Sequence, residues 1–323
     1  MSMSHEKPHI VYVDANETSS ALFERLGLFE RLRSVGFLTV HEGAPKSAAD
    51  FVSVVGTAQV IIVGGTLPDE VLVNAPQLAL IAYVGQGASN FINLPLAQEK
   101  GIKVAIAPDY GNSAVAEHVV ALLFSVARRT VQGDRHVRAG HWRPFPMGME
   151  LSGKTAGIIG YGGIGAHVAK LFRALGMNVL VWNRSPVTSA GEDVQFTSLP
   201  EIFDQCDVVS LHLALNTQTR GIITAGMLDR LRAGAILLNT ARSELIEDFA
   251  LEERLERGQL SAGLDVFRQE PPELSDRLLQ LENVVLTPHQ GYNTPQSFSA
   301  LATMVVENIE NFLNGKDFHT TSL

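Results

Sequence analysis

Short apolar runs alternate along the chain with segments whose apolar positions recur every three or four residues. Ile10-Val11-Tyr12-Val13 has the length and β-branched content of a buried strand. A helical pattern follows over about 18–34. Further strand-like runs lie at Phe37 to Val40, Val60 to Val63 and Leu78 to Tyr83, separated by helical stretches. Strand–helix alternation predicts βαβ units, a parallel sheet and right-handed crossovers. A long helical pattern over about 113–139 follows the turn-forming cluster Pro108-Asp109-Tyr110-Gly111-Asn112. A loop with Trp142, Pro144, Pro146 and Gly148 ends it.

A second series then begins. Ala156 to Ile159 reads as a strand, Ile164 to Gly176 as a helix and Val179 to Trp182 as a strand. Later strands are expected at Asp207 to Leu211, Ala235 to Asn239, Leu260 to Asp265 and Val284 to Thr287. A last helical pattern covers about 295–314. The pattern does not say where that helix packs.

Composition fits two globular α/β domains. The 323 residues are 46% hydrophobic and 18% charged, and domains run to about 150 residues. A single cysteine, Cys206, allows neither an intrachain disulfide nor a cysteine metal cage; no metal is expected. The formal charge of −9 argues against a nucleic-acid partner. The start, Met1 to Pro8, has no apolar leader core, and the longest apolar stretch, Val119 to Ala127, is too short to span a membrane. A cytoplasmic protein without a membrane partner is the expectation.

Gly160-Tyr161-Gly162-Gly163-Ile164-Gly165 is a G-x-G-x-x-G turn between a strand and a helix, the setting that the dinucleotide fingerprint requires. The first glycine permits the tight turn, the second lets a pyrophosphate approach the backbone, and the third lets the helix pack closely. The helix N-terminus offers unpaired N–H groups to phosphate. A glycine-rich turn with no ligand and an adenosyl-dependent methyltransferase are the other readings of this motif. About 20 residues on, NAD-binding units place a carboxylate for the ribose 2′-hydroxyl. Here the chain reads Asn183-Arg184-Ser185. Asn183 removes the repulsion of a 2′-phosphate and Arg184 can bind one, so NADP(H) is favoured. NAD(H) stays open, because Asn183 can also bond a 2′-hydroxyl.

Five segments point to one family. They are Val115-Ala116-Glu117-His118, then Glu150 to Thr155 leading into Gly157-Ile158-Ile159-Gly160, then Leu238-Asn239-Thr240-Ala241-Arg242, then Leu264-Asp265-Val266-Phe267-Arg268-Gln269-Glu270-Pro271, then Thr287-Pro288-His289-Gln290-Gly291. In this order and spacing they resemble the D-isomer-specific 2-hydroxyacid dehydrogenases, in the branch of glyoxylate and hydroxypyruvate reductases, over nearly the whole chain. The resemblance implies two Rossmann-like parallel-sheet domains. The dinucleotide domain, about 106–290, would be inserted into a substrate domain formed by 1–105 and 291–323, with the substrate in the cleft between them. It also implies a homodimer through the dinucleotide domain, with Trp142 and Met147 in the region that forms it.

The family's catalytic trio maps onto Arg242, Glu270 and His289. The chemistry agrees. Arg242 is a permanent cation able to hold a carboxylate and polarise a carbonyl. His289 can donate a proton to the developing alkoxide. Glu270 would orient the imidazole and favour its protonated form. Taken singly, each is an ordinary surface or loop residue. On the cofactor side the resemblance adds His212, Thr240, Ala241 and Asp265 to the glycine turn and to Asn183, Arg184 and Ser185. Val84-Gly85-Gln86-Gly87 resembles the substrate loop, where successive N–H groups of a glycine-rich turn can hold a carboxylate. Gly64-Gly65-Thr66 is a further candidate wall. Formate dehydrogenases carry glutamine where Glu270 stands. Ser243 and the Gln290 to Tyr292 stretch depart from the commoner family pattern, as does Ala214, which stands where many members have proline. The expected activity is reduction of a small 2-oxo acid to the D-2-hydroxy acid. A dinucleotide-sensing regulatory protein on the same scaffold is the alternative.

Overall fold

A computed structural model describes residues 7–185, 187 and 194–321. Most of the segment read for a leader, Met1 to Glu6, lies outside the described residues. The chain divides into two compact units, one up to Tyr110 and again from Thr294, the other Gly111–Asn293. The boundaries lie three to five residues beyond those drawn from the sequence, after Ala105 and Gln290 (compare Tyr110 and Asn293).

The first unit is a five-stranded parallel sheet. Its strands are β1 (His9–Ala15), β2 (Phe37–Glu42), β3 (Val60–Val63), β4 (Leu80–Tyr83) and β5 (Lys103–Ala105), in the order β2-β1-β3-β4-β5. β3 and β4 are buried at every position, as continuous apolar runs covered on both faces should be. β2, at the edge, is only partly covered. The helix expected over 18–34 is two helices, Glu17–Arg25 and Leu28–Val35. Asn16 caps the first in a reciprocal box with Ser19. Gly27 separates them at φ 66, a conformation glycine adopts without penalty.

The last helix, Pro295–Leu313, packs in this unit. Leu301, Ala302, Val305, Val306 and Ile309 join Phe29, Leu32, Ile62, Leu80 and Ala82 in one core. Arg31 grips Glu310 through two hydrogen bonds, of 2.9 and 2.6 Å. Buried Asn308 donates to the Ile106 carbonyl and accepts from the His319 N–H, which ties down the segment after the helix.

The second unit is a seven-stranded parallel sheet. Its strands are β6 (Thr155–Ile159), β7 (Asn178–Trp182), β8 (Gln195–Phe196), β9 (Val208–Leu211), β10 (Ala235–Asn239), β11 (Leu260–Leu264) and β12 (Val284–Leu286). The order β12-β11-β10-β9-β6-β7-β8 reverses between β6 and β9, which is the dinucleotide-fold order with one added strand. β5 and β8 escaped the hydrophobic reading because they are only three and two residues long. The helix expected over 113–139 is also two, Asn112–Ala127 and Thr130–Arg138, parted by Arg129 at φ 53. The first buries Ala116, Val119, Leu122, Leu123 and Val126, packing on β10 and β11; the second buries no residue. Among the described residues no helix is long and apolar enough to cross a membrane.

Candidate active site

The second unit's candidate residues follow the C-terminal ends of its strands, where open parallel sheets bind ligands. The glycine turn joins β6 to the helix Gly163–Ala174 at the point where strand order reverses. Each glycine has its own reason. Gly160 stands at φ 99, and a Cβ there would lie 2.6 Å from the His212 carbonyl oxygen. A Cβ on Gly165 would lie 2.0 Å from the Gly160 carbonyl oxygen. A Cβ on Gly162 would meet nothing within 4 Å. Two glycines thus bring backbone together, and the middle one faces open space beside a helix N-terminus, where Gly163 and Ile164 begin the helix. That space and those N–H groups fit a pyrophosphate.

At the end of β7, Asn183 is tied to the turn. Its Oδ1 accepts the Tyr161 N–H at 2.9 Å and its Nδ2 donates to the Ser185 carbonyl at 2.8 Å. Asn183 therefore braces the glycine turn, a role that its position alone does not reveal. Arg184 is exposed and donates through Nη1 to Gln218 Oε1 at 2.7 Å. Among the described residues no carboxylate pairs with it.

His212 follows β9. Its Nε2 lies 2.8 Å from the buried Ser210 hydroxyl, and burial pushes its pKa down to about 3, so the ring is neutral near pH 7. β10 ends in Asn239, whose buried side chain shapes the next turn. Its Oδ1 accepts the Ala241 N–H at 3.0 Å and its Nδ2 donates to the Arg242 carbonyl at 2.9 Å. The Thr240 hydroxyl is buried and has no partner among the described residues, a vacancy of hydrogen bonding that a bound cofactor would fill. Arg242 spends one Nη1 bond on the Ala241 carbonyl, at 2.6 Å. Among the described residues no carboxylate pairs with Arg242, which leaves its charge for a ligand.

Glu270 follows β11 and His289 follows β12. Their side chains meet at 2.6 Å, Nδ1 to Oε2, and both are about one-third exposed. A carboxylate only accepts, so Nδ1 carries a hydrogen and Nε2 is the nitrogen left to exchange a proton with a reactant. The Phe267 N–H holds the other Glu270 oxygen at 3.0 Å. His289 itself stands at φ 49, which costs a residue with a Cβ roughly 1–2 kcal/mol.

Asp265, at the end of β11, is 1% exposed. Burial raises its pKa, but hydrogen bonds from His118, Thr287, Gln290 and Gly291 outweigh this and leave it below the usual carboxylate range. His118 and Thr287 lie in segments that carry the family resemblance, but the sequence assigns neither a role. A polar residue ending an apolar strand, as Asn239 and Asp265 do, is the signal that marks such struts.

In the first unit, Val84 to Gly87 follow β4. The N–H groups of Val84 and Gly85 are used internally, by the Val63 and Tyr83 carbonyls. Those of Gln86 and Gly87 have no acceptor among the described residues. Gly85 does not take positive φ, contrary to the expected backbone freedom; it is small because a Cβ would lie 2.8 Å from the Tyr83 ring. The N–H groups of Gly64 and Gly65 are filled by the Asp14 carboxylate, at 3.0 and 2.8 Å.

The family model described as the D-isomer specific 2-hydroxyacid dehydrogenase NAD-binding domain matches residues 120–291. A glyoxylate reductase of Korarchaeum cryptofilum is 38% identical over 255 residues, 76% of each chain. A D-3-phosphoglycerate dehydrogenase of Archaeoglobus fulgidus is 36% identical over 250 residues, 76% of this chain and 47% of its own. The chain thus spans about half the length of the phosphoglycerate dehydrogenases it matches. Among solved structures, an NADPH-dependent glyoxylate/hydroxypyruvate reductase of Sinorhizobium meliloti superposes with a TM-score of 0.85 at 26% identity, over 98% of both chains.

Proposed function

The chain belongs to the D-isomer-specific 2-hydroxyacid dehydrogenases, and from that premise we propose that it reduces a small 2-oxo acid, of the glyoxylate or hydroxypyruvate kind, to the D-2-hydroxy acid with NADPH. The observation that carries this reading is the 2.6 Å contact between His289 and Glu270, after strands β12 and β11, with Arg242 after the neighbouring strand β10 having no carboxylate partner among the described residues. Arg242 binds the substrate carboxylate and polarises the carbonyl. His289 donates the proton from Nε2 to the oxygen as it becomes an alkoxide. Glu270 holds Nδ1–H, fixes the ring and stabilises the imidazolium. Bound NADPH supplies the hydride.

Gly160 to Gly165 would hold the pyrophosphate, and the Thr240 hydroxyl and Ala241 would serve the cofactor from the turn after β10. Asn183 keeps the turn in shape, and Arg184, with Ser185 beside it in sequence, would bind the 2′-phosphate. His212 lines the cofactor side as a neutral ring. Gln86 and Gly87 retain N–H groups suited to a carboxylate. Asp265 serves the cofactor side indirectly, through the loop it holds.

Glyoxylate and hydroxypyruvate reductases among the relatives support the substrate class. Arg184, which no carboxylate pairs with among the described residues, supports NADPH. The reading extends to a cytoplasmic homodimer joined through the second unit. Its support is the apolar surface at the helix Thr130–Arg138 and the loop after it, where Val137, Trp142 and Met147 are exposed.

The test of cofactor choice is kcat/KM with NADPH and with NADH against a panel of 2-oxo acids. NADPH is expected to be preferred. Arg184→Ala should lower NADPH efficiency about tenfold or more, the worth of a charged hydrogen bond, and leave NADH unchanged. A preference for NADH in the wild type contradicts the assignment.

A further inference from the structure

The backbone of His289 is held by a relay that begins on a helix remote in sequence. Asp265 Oδ1 accepts the Thr287 hydroxyl at 2.5 Å and the Gln290 N–H at 2.9 Å, and its Oδ2 accepts the Gly291 N–H at 2.8 Å. The carboxylate therefore grips the loop on both sides of His289. Behind it stands His118, on the helix Asn112–Ala127. Its Nε2 lies 2.9 Å from Thr287 Oγ1 and 3.4 Å from Asp265 Oδ1.

The direction of the relay follows from proton counting. Thr287 has one hydroxyl hydrogen, and a carboxylate can only accept it. The hydroxyl oxygen is then the acceptor for His118, whose Nε2 must carry hydrogen. The packing is equally tight. A Cβ on Gly291 would lie 3.1 Å from Asp265 Oδ2 and 3.5 Å from His118 Cδ2. The loop thus lies against both partners, with room for glycine there.

We propose that His118 is a positioning residue for the reductase reaction. By donating to Thr287 it orients that hydroxyl toward Asp265, and Asp265 then holds Gln290 and Gly291 so that His289 keeps its left-handed backbone. His118 touches no reacting atom in this account. The inference rests on the proposed function for its kinetic half only.

The experiment compares His118→Leu, His118→Gln and Thr287→Val with wild type in two readouts. One is hydrogen exchange at the Gln290 and Gly291 amides, which needs no turnover. The other is kcat and KM with NADPH and glyoxylate. His118→Leu and Thr287→Val should speed exchange at those two amides while leaving β6 and β9 protected. They should lower kcat roughly ten- to a hundredfold, the scale of a slight misplacement of a catalytic group, with KM for NADPH within about twofold. The glutamine amide of His118→Gln can donate in place of Nε2 and should restore most of both. Unchanged exchange at Gln290 and Gly291 in both His118→Leu and Thr287→Val overturns the proposal. So does a general loss of protection across the second unit that glutamine does not rescue. If wild type turns over no 2-oxo acid, the proposed function fails, and the exchange result still decides whether His118 holds the loop.

Discussion

The two units each have a point where strand order reverses, between β1 and β3 in the first and between β6 and β9 in the second, yet the two points are chemically opposite. At the first, Asp14 ends on the N–H groups of Gly64 and Gly65, so the chain's own carboxylate occupies the place an anion would take. Burial raises the pKa of Asp14, and the two backbone bonds oppose that rise. At the second, the space beside Gly162 is open, the helix N-terminus is free of acidic residues in its first turn, and the Thr240 hydroxyl has no partner among the described residues. Parallel α/β architecture supplies a candidate crevice in each unit, but individual side chains decide which can receive a phosphate. Fold alone does not assign the site.

The comparison breaks first at Gly165. Alanine there places a Cβ 2.0 Å from a backbone oxygen that cannot swing aside. Gly165→Ala should cost about 1–3 kcal/mol in urea unfolding, the usual range for overpacking, and should abolish NADPH binding measured by nucleotide fluorescence. Retained affinity would mean that the turn is not the phosphate cradle.

Asp14→Ala should show the reverse pattern. It leaves two glycine N–H groups without their acceptor, at about 1–3 kcal/mol if they stay dry and less where water replaces the carboxylate. NADPH affinity should not change. A fall in affinity with stability intact would place the nucleotide in the first unit and undo the contrast.

The smallest expected effect sharpens the picture of the second crevice. The His212 ring has its pKa pushed down to about 3 by burial, against an ordinary value of about 6.5. Above about 6.5 neither the native nor the unfolded chain protonates it. As pH falls from about 6.5 toward 3, the unfolded chain takes up a proton that the native ring refuses. Native stability should therefore fall, by at most about 1.4 kcal/mol per pH unit and by less for a half-buried ring. His212→Asn should flatten that slope in urea unfolding between pH 7 and 5. Equal slopes in the two proteins would show that the ring is open to water.

Much of this arrangement was legible from residue order. Val60 to Val63 and Ala235 to Asn239 read as buried strands because the apolar run itself is the signal. The Gly160 to Gly165 turn was legible because its setting between strand and helix is part of the motif. Helix breaks were harder. Gly27 sits inside an apolar pattern that continues on both sides, and Arg129 carries no mark of a left-handed residue. The struts were hardest. Asn183 is expected to face the ribose from its position; that its side chain also ties Tyr161 to Ser185 is not visible in the order of residues. Asp14 with Gly64 and Gly65, and His118 with Thr287 and Asp265, join residues dozens to more than a hundred positions apart. Such pairs are created by strand order, which local periodicity does not encode.

The central claim is that the second unit's crevice reduces 2-oxo acids with His289 as the acid. Its most direct test is NADPH oxidation with glyoxylate and hydroxypyruvate by wild type and His289→Asn, with NADPH affinity measured in parallel. Wild type should turn over at least one of them. His289→Asn should lose about 10²–10⁴-fold in kcat, the usual contribution of a general acid, while binding NADPH within about twofold of wild type. Full turnover by His289→Asn, or none by wild type on either acid despite tight NADPH binding, would contradict the account.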